Sequence, residues 1–268
     1  MKNIIIKDEG NYQVVAGNAI SLLSNLPASI YELKYEPKQG FVLNESENNF
    51  KITKKIYGDI ETITKRVFLT FEKRNKNLGI LLSGAKGMGK TLALCNICSE
   101  AIKKGLPVIM VKENYDGLSS FIELICQPVV VVFDEFEKIY QNRSKRERDE
   151  LDGQDSLLNL FDSAFNGKKL FLLTCNNDIS LSEYLLNRPG RIHYHFRMHR
   201  LSIKEITEYC NDNLKNENHS LIPDICSIGA RIPDFSYDIL GAIIFELNNY
   251  QCGLGEIQEI LNIDFGSK

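Results

Sequence analysis

Residues 84–91, Gly84-Ala85-Lys86-Gly87-Met88-Gly89-Lys90-Thr91, follow the pattern G-x-x-x-x-G-K-[ST], and each fixed position has a chemical reason. Gly84, Gly87 and Gly89 permit backbone angles at which successive N–H groups converge on phosphate oxygens. A helix opening at Lys90 aims its positive end at the same anion. The Lys90 ammonium neutralises β- and γ-phosphates, and the Thr91 hydroxyl can ligate Mg²⁺. Ala85, Lys86, Met88 and Leu92 complete the stretch whose backbone wraps the phosphates. The plain alternative, a flexible Gly-rich turn, fits poorly: an apolar strand (GILLS) precedes the loop and a helical pattern (TLALCNICSEAI) follows it. The loop predicts binding of a nucleoside triphosphate.

A second constellation lies downstream. PVVVVFDEFE (128–137) reads as a buried strand ending in two adjacent acids. Asp134 at the strand tip can hold the Mg²⁺ shell, and Glu135 is placed to polarise an attacking water as general base. Alone, the pair could be a solvated acidic loop. Behind a phosphate loop it predicts hydrolysis, since a P-loop kinase takes its nucleophile from its substrate. Two other groups read more plainly. Cys95 and Cys98 lie on the helix behind the loop without a second ligand pair, as core thiols do. His193, His195 and His199 have no cysteine or acid to complete a zinc set.

The elements that must position these residues alternate. The strands are GILLSG, LPVIMVKE, VVVVFDE, LFLLTCN and HYHFRMHRL, and the helices between them TLALCNICSEAIKKG, LSSFIELICQ and DSLLNLFDSAFNG. Apolar, β-branched strands alternating with helices predict an α/β fold, a parallel sheet flanked by helices. Upstream, Ile60, Ile63, Val67, Phe68 and Phe71 share one helical face behind a cap at Asp59. Residues 1–54 form a short strand-rich appendage, broken by Pro27, Pro37 and Gly40. Beyond residue 200 the pattern turns helical. The expected division is 1–54 appendage, 55–200 ATPase core and 201–268 helical lid.

Composition narrows the classes. The chain has 268 residues, 43% hydrophobic and 25% charged, the balance of a globular protein. A net charge of -3 is too even for a protein whose main work is coating nucleic acid. No apolar run approaches a membrane span, and MKNIIIKDEG lacks a signal-peptide core. Seven irregularly spaced cysteines suit a reducing compartment, so a cytoplasmic location is expected.

Taken together, the motifs from Ile56 to the C-terminus resemble the AAA branch of the AAA+ ATPases. The resemblance implies a lytic-water sensor at the end of LFLLTCNN (170–177), at Asn176 with Asn177 as the alternative. LLNRPGRIHYHF (185–196) resembles the second region of homology, which makes Arg188 and Arg191 arginine fingers acting on a neighbouring subunit's ATP. A guanidinium suits that task because it donates to two γ-phosphate oxygens as charge builds. Ile56, Tyr57 and Gly58 fall where the family wraps adenine. FSYDILGAI (235–243) lacks a sensor arginine, and Arg231 lies just before it.

The implied cofactors are ATP and Mg²⁺, and the implied assembly is a homo-oligomer, expected to be a hexamer. Tyr115 and Gly117 stand where translocating members carry an aromatic pore loop, and 141–154 would be a second pore loop. A solvated loop explains the mixed charge of 141–154 equally well, and Tyr115 could simply pack at a loop base. The implied work is remodelling or threading a protein client. The alternatives are a nucleic-acid-associated factor, such as a helicase loader, and an ATP-dependent assembly switch. No HEXXH protease motif follows the motor.

Overall fold

The computed structural model describes residues 3–8, 11–16, 21–46, 50, 52, 55–141, 161, 167–176 and 191–264. Strands β1 (Asn3–Asp8) and β2 (Asn11–Ala16) pair antiparallel as a two-stranded sheet. The main sheet has seven strands: β3 (Ile30–Glu36), β4 (Gly40–Glu45), β5 (Leu78–Ser83), β6 (Val108–Val111), β7 (Val129–Phe133), β8 (Lys169–Cys175) and β9 (Ile192–Arg197). Their spatial order is β4-β3-β6-β7-β8-β5-β9. Every pairing is parallel except the β3–β4 hairpin at one edge.

The parallel strands are apolar on both faces because both faces are covered. In β5, Ile80 and Leu82 pack with α1 (Ile60–Lys73) and α2 (Lys90–Lys103), while Leu81 faces the other way. In β7, Val130 and Val132 join that first face. Val131 and Phe133 join the second, with Leu118 and Ile122 of α3 (Leu118–Leu124) and Phe136 and Ile139 of α4 (Phe136–Gln141). This period-two division produces two buried cores separated by the sheet. On α1 the predicted face holds, with Ile60, Val67, Phe68 and Phe71 buried and Ile63 partly so. Asp59 occupies the cap position, but its side chain makes no capping hydrogen bond.

The C-terminal region has its own core. It contains α5 (Ile203–Asn213), a 3₁₀ turn (Asn216–Leu221), α6 (Ile222–Arg231), α7 (Tyr237–Asn249) and α8 (Leu254–Ile260). Ile206, Ile225, Phe235, Leu240 and Ile243 fill the space between them. A reciprocal capping box opens α5: Ser202 Oγ accepts from Glu205 N–H, and Glu205 Oε2 accepts from Ser202 N–H. The expected helix over 155–167 lies outside the described residues except at Phe161 and Gly167. All seven cysteines are free thiols. Among the described residues, no helix is long and apolar enough to cross a membrane.

Candidate functional site

The site forms at the carboxyl ends of β5, β7 and β8, which lie side by side, the place where open α/β sheets bind ligands. The chain leaves β5 through residues 84–89 and enters α2 at Lys90. Gly84, Gly87 and Gly89 all have positive φ, at 145°, 79° and 86°. Gly87 is further constrained: a Cβ there would lie 2.8 Å from both Asp238 Oδ2 and Ser236 Oγ. The start of α7 is therefore seated directly on the phosphate loop.

Lys90 is buried, with 7% of its surface exposed. Its ammonium donates to the carbonyls of Gly84 at 2.6 Å and Ala85 at 2.8 Å. Burial lowers its pKa, and the nearby carboxylates, Glu137 foremost, work against that. Met88 is buried and Lys86 exposed on the loop. Thr91 and Leu92 follow in the first turn of α2, lining the same cleft as Gly87, Gly89 and Lys90.

Three acids stand opposite. Asp134 Oδ1 accepts from the Thr174 hydroxyl at 2.6 Å, and that hydroxyl accepts the Glu135 N–H at 2.8 Å. Glu135 has a φ of 52°, a left-handed angle unusual for a residue with a side chain. The Lys138 ammonium donates to Glu135 Oε2 at 2.6 Å and holds the carboxyl below the usual range. The Asn176 side-chain amide donates to Glu135 Oε1 at 3.3 Å and to Glu137 Oε1 at 2.9 Å. The predicted base and the predicted water sensor are thus in direct contact. Asn177 and Arg188 lie outside the described residues. Arg191, at the start of β9, is buried with 7% exposed.

Below the loop, a cavity of about 750 Å³ runs from the phosphate loop to the C-terminal helices. Its far end is aromatic: the Tyr57 ring stands 4.9 Å from Tyr209 and 6.1 Å from Tyr237. Tyr57 OH donates to Asp212 Oδ2 at 3.0 Å and accepts from Asn213 Nδ2 at 3.1 Å. Lys55 pairs with both Asp212 and Glu208. Gly58, at φ 71°, lets the chain pass against Glu205: a Cβ would come 2.4 Å from its Oε1. Ile56 packs partly buried against the α1–α2 core. One end of the cavity thus suits phosphates and the other a flat base.

Sequence reasoning missed Thr174, Glu137 and Lys138 beside the acids, and Lys55, Tyr209, Asp212, Asn213 and Tyr237 in the base cleft. Some of them left a signal. Tyr209, Asp212 and Asn213 have the i, i+3, i+4 spacing of one helical face, and Glu137 is the third acid of the run DEFE. Thr174 left none, because its importance depends on which strand stands beside β8. Arg231 is the last residue of α6, outside the helix that meets the loop. His193 Nδ1 accepts from Arg74, and His195 Nε2 is 2.7 Å from Ser83 Oγ. Cys98 is buried and Cys95 half-buried; burial pushes the Cys95 thiol up to about 11.

The donor set suits Mg²⁺. Thr91 and Asp134 offer hard oxygens at the cleft, as that ion requires. Among the described residues, no group of three or more His, Cys, Asp or Glu side chains converges on a metal position.

Comparison with known proteins agrees with this geometry. Residues 80–200 match the family described as ATPase family associated with various cellular activities (AAA). The chain is also similar to the ATP-dependent zinc metalloprotease FtsH of Mycoplasmoides gallisepticum, with 25% identity over 174 residues. That alignment covers 59% of this chain and only 22% of the relative. Over residues 80–200, then, the chain is similar to AAA-type P-loop ATPases.

Proposed function

We propose that this chain is an ATP-hydrolysing ring motor that remodels or threads a protein client. The observation that carries the reading is the meeting of Lys90, Asp134, Glu135 and Asn176 at one end of the sheet, beside a cavity of about 750 Å³. Lys90 exchanges its bonds to Gly84 and Ala85 for β- and γ-phosphate oxygens. Ile56, Tyr57 and Gly58 border the base, while residues 84–92 enclose the phosphates through backbone N–H groups. Thr91 and Asp134 hold Mg²⁺, which when bound neutralises charge developing on the phosphate oxygens. Glu135, ionised beside Lys138, takes the proton of the attacking water, and Asn176 orients that water. Arg188 and Arg191 reach the ATP of an adjacent copy; Arg191, buried within its own chain, must shift to do so.

The working arrangement is a hexamer in the cytoplasm, with 1–54 choosing the partner, 55–200 as the motor and 201–268 as the lid. The similarity to FtsH, an ATP-dependent zinc metalloprotease, supports a protein client. The test is steady-state ATPase rate against protein concentration, alone and mixed with an Arg188→Ala/Arg191→Ala variant. Specific activity that rises with concentration and is poisoned by the variant is expected. Concentration-independent turnover, indifferent to the variant, would overturn the ring and the trans-acting arginines.

A further inference from the structure

Glu137 is the third acid of the site, and the mechanism leaves its chemistry unused. It lies in the first turn of α4, two residues beyond Glu135. Its Oε1 accepts twice from one residue: the Asn176 backbone N–H at 3.0 Å and the Asn176 side-chain Nδ2 at 2.9 Å. An asparagine side chain held at its own backbone and amide by a single oxygen has little rotational freedom left. The direction in which it is held carries the Nδ2 to Glu135 Oε1, at 3.3 Å. Among the described residues, meanwhile, buried Glu137 Oε2 has no hydrogen-bond partner. An orphaned carboxylate oxygen is costly. Of the neighbouring carboxylates, Glu137 also acts most strongly on the charge of Lys90. A carboxylate kept at this cost, between the phosphate lysine and the water sensor, does more than close a turn.

We infer that Glu137 is a positioning residue of the hydrolytic centre, clamping the Asn176 amide so that water is presented to Glu135. The inference rests on the reading of Glu135 and Asn176 as the water-handling pair. Its action is indirect: removing Glu137 frees Asn176 to rotate, and the loss falls on turnover rather than on nucleotide capture. Loss of an outer-shell partner of this kind typically lowers activity by about 10–100-fold.

The test is a double-mutant cycle in the full chain, with Glu137→Ala, Asn176→Ala and the double variant. Each is measured for kcat, for affinity toward a fluorescent ATP analogue, and for thermal midpoint. Glu135→Gln serves as the control for the chemistry. The expected result is a kcat loss of about 10–100-fold in each single variant, no further loss in the double, and analogue affinity within about threefold of wild type. Losses that multiply in the double variant would overturn the clamp, as would a Glu137→Ala protein that turns over like wild type. Weakened analogue binding that accounts for the rate loss would likewise make Glu137 a binding or structural residue. Wild-type activity that survives Glu135→Gln would instead overturn the reading beneath the inference. Should Glu137→Ala fold poorly, Glu137→Gln retains an acceptor for Asn176 without the charge. That variant is expected to keep more turnover than Glu137→Ala, and an equal or greater loss would overturn the clamp.

Discussion

At Glu135 the backbone has a φ of 52°, and its N–H is held by the Thr174 hydroxyl, which also donates to Asp134. One hydroxyl therefore secures a strained turn and aims an acid. Thr174→Val keeps the shape but leaves a donor and an acceptor without their partner. It should destabilise the fold by about 1–3 kcal/mol, measured by urea denaturation, and lower kcat as well. Lys138 acts on the same residue through charge. Because its ammonium holds the Glu135 carboxyl below the usual range, that carboxyl is ionised at neutral pH, as the proposed base must be. Lys138→Ala should raise that pKa, since the ion pair favours the charged form. The acid limb of the kcat–pH profile should then move to higher pH. A limb that stays in place would exclude Glu135 as the group titrating there.

At the scale of elements, the junction of loop and lid depends on two glycines. Gly87 lies under Ser236 and Asp238 at the start of α7, and Gly58 lies against Glu205 at the start of α5. Both contacts join the cleft beside Lys90 to helices of the C-terminal core. At both positions a methyl group would press on side-chain oxygens of these helices, and both have left-handed φ angles. Gly87→Ala should cost about 1–2 kcal/mol from the backbone angle alone, before any displacement of α7. A lower denaturation midpoint together with weaker binding of a fluorescent nucleotide is the expected outcome. A variant with wild-type binding would show that α7 can move off the loop freely.

For the whole molecule, the β3–β4 hairpin changes what the N-terminal region is attached to. It extends the seven-stranded sheet, with β3 parallel to β6, so this part of the N-terminal region is continuous with the α/β core. The loop after β6 carries Tyr115, whose ring packs 6.1 Å from both Tyr35 and Phe41 of that hairpin. Tyr115 is half-buried, and the Gly117 backbone passes close to Phe41. If Tyr115 grips a client, the hairpin braces it. Tyr115→Ala should abolish stimulation of ATPase activity by an unfolded polypeptide, and full stimulation would remove Tyr115 from the client path.

The order of strands and helices, the phosphate loop and the paired acids were legible in the sequence, because each is encoded by local spacing. Alternating apolar runs report a covered sheet, and G-x-x-x-x-G-K-[ST] encodes its own backbone angles. The short α4 and the proline-initiated α6 were not read, the first because six residues show no repeated period. Pro223 near the start of α6 is a helix-opening signal that could have been used. What only the tertiary structure decided was adjacency. Placing β8 next to β7 brings Thr174 and Asn176 to Asp134, Glu135 and Glu137. Folding the C-terminal helices back brings Tyr209 and Tyr237 to Tyr57. Those contacts span residues far apart in the chain, and no local periodicity carries information about which distant surfaces will meet.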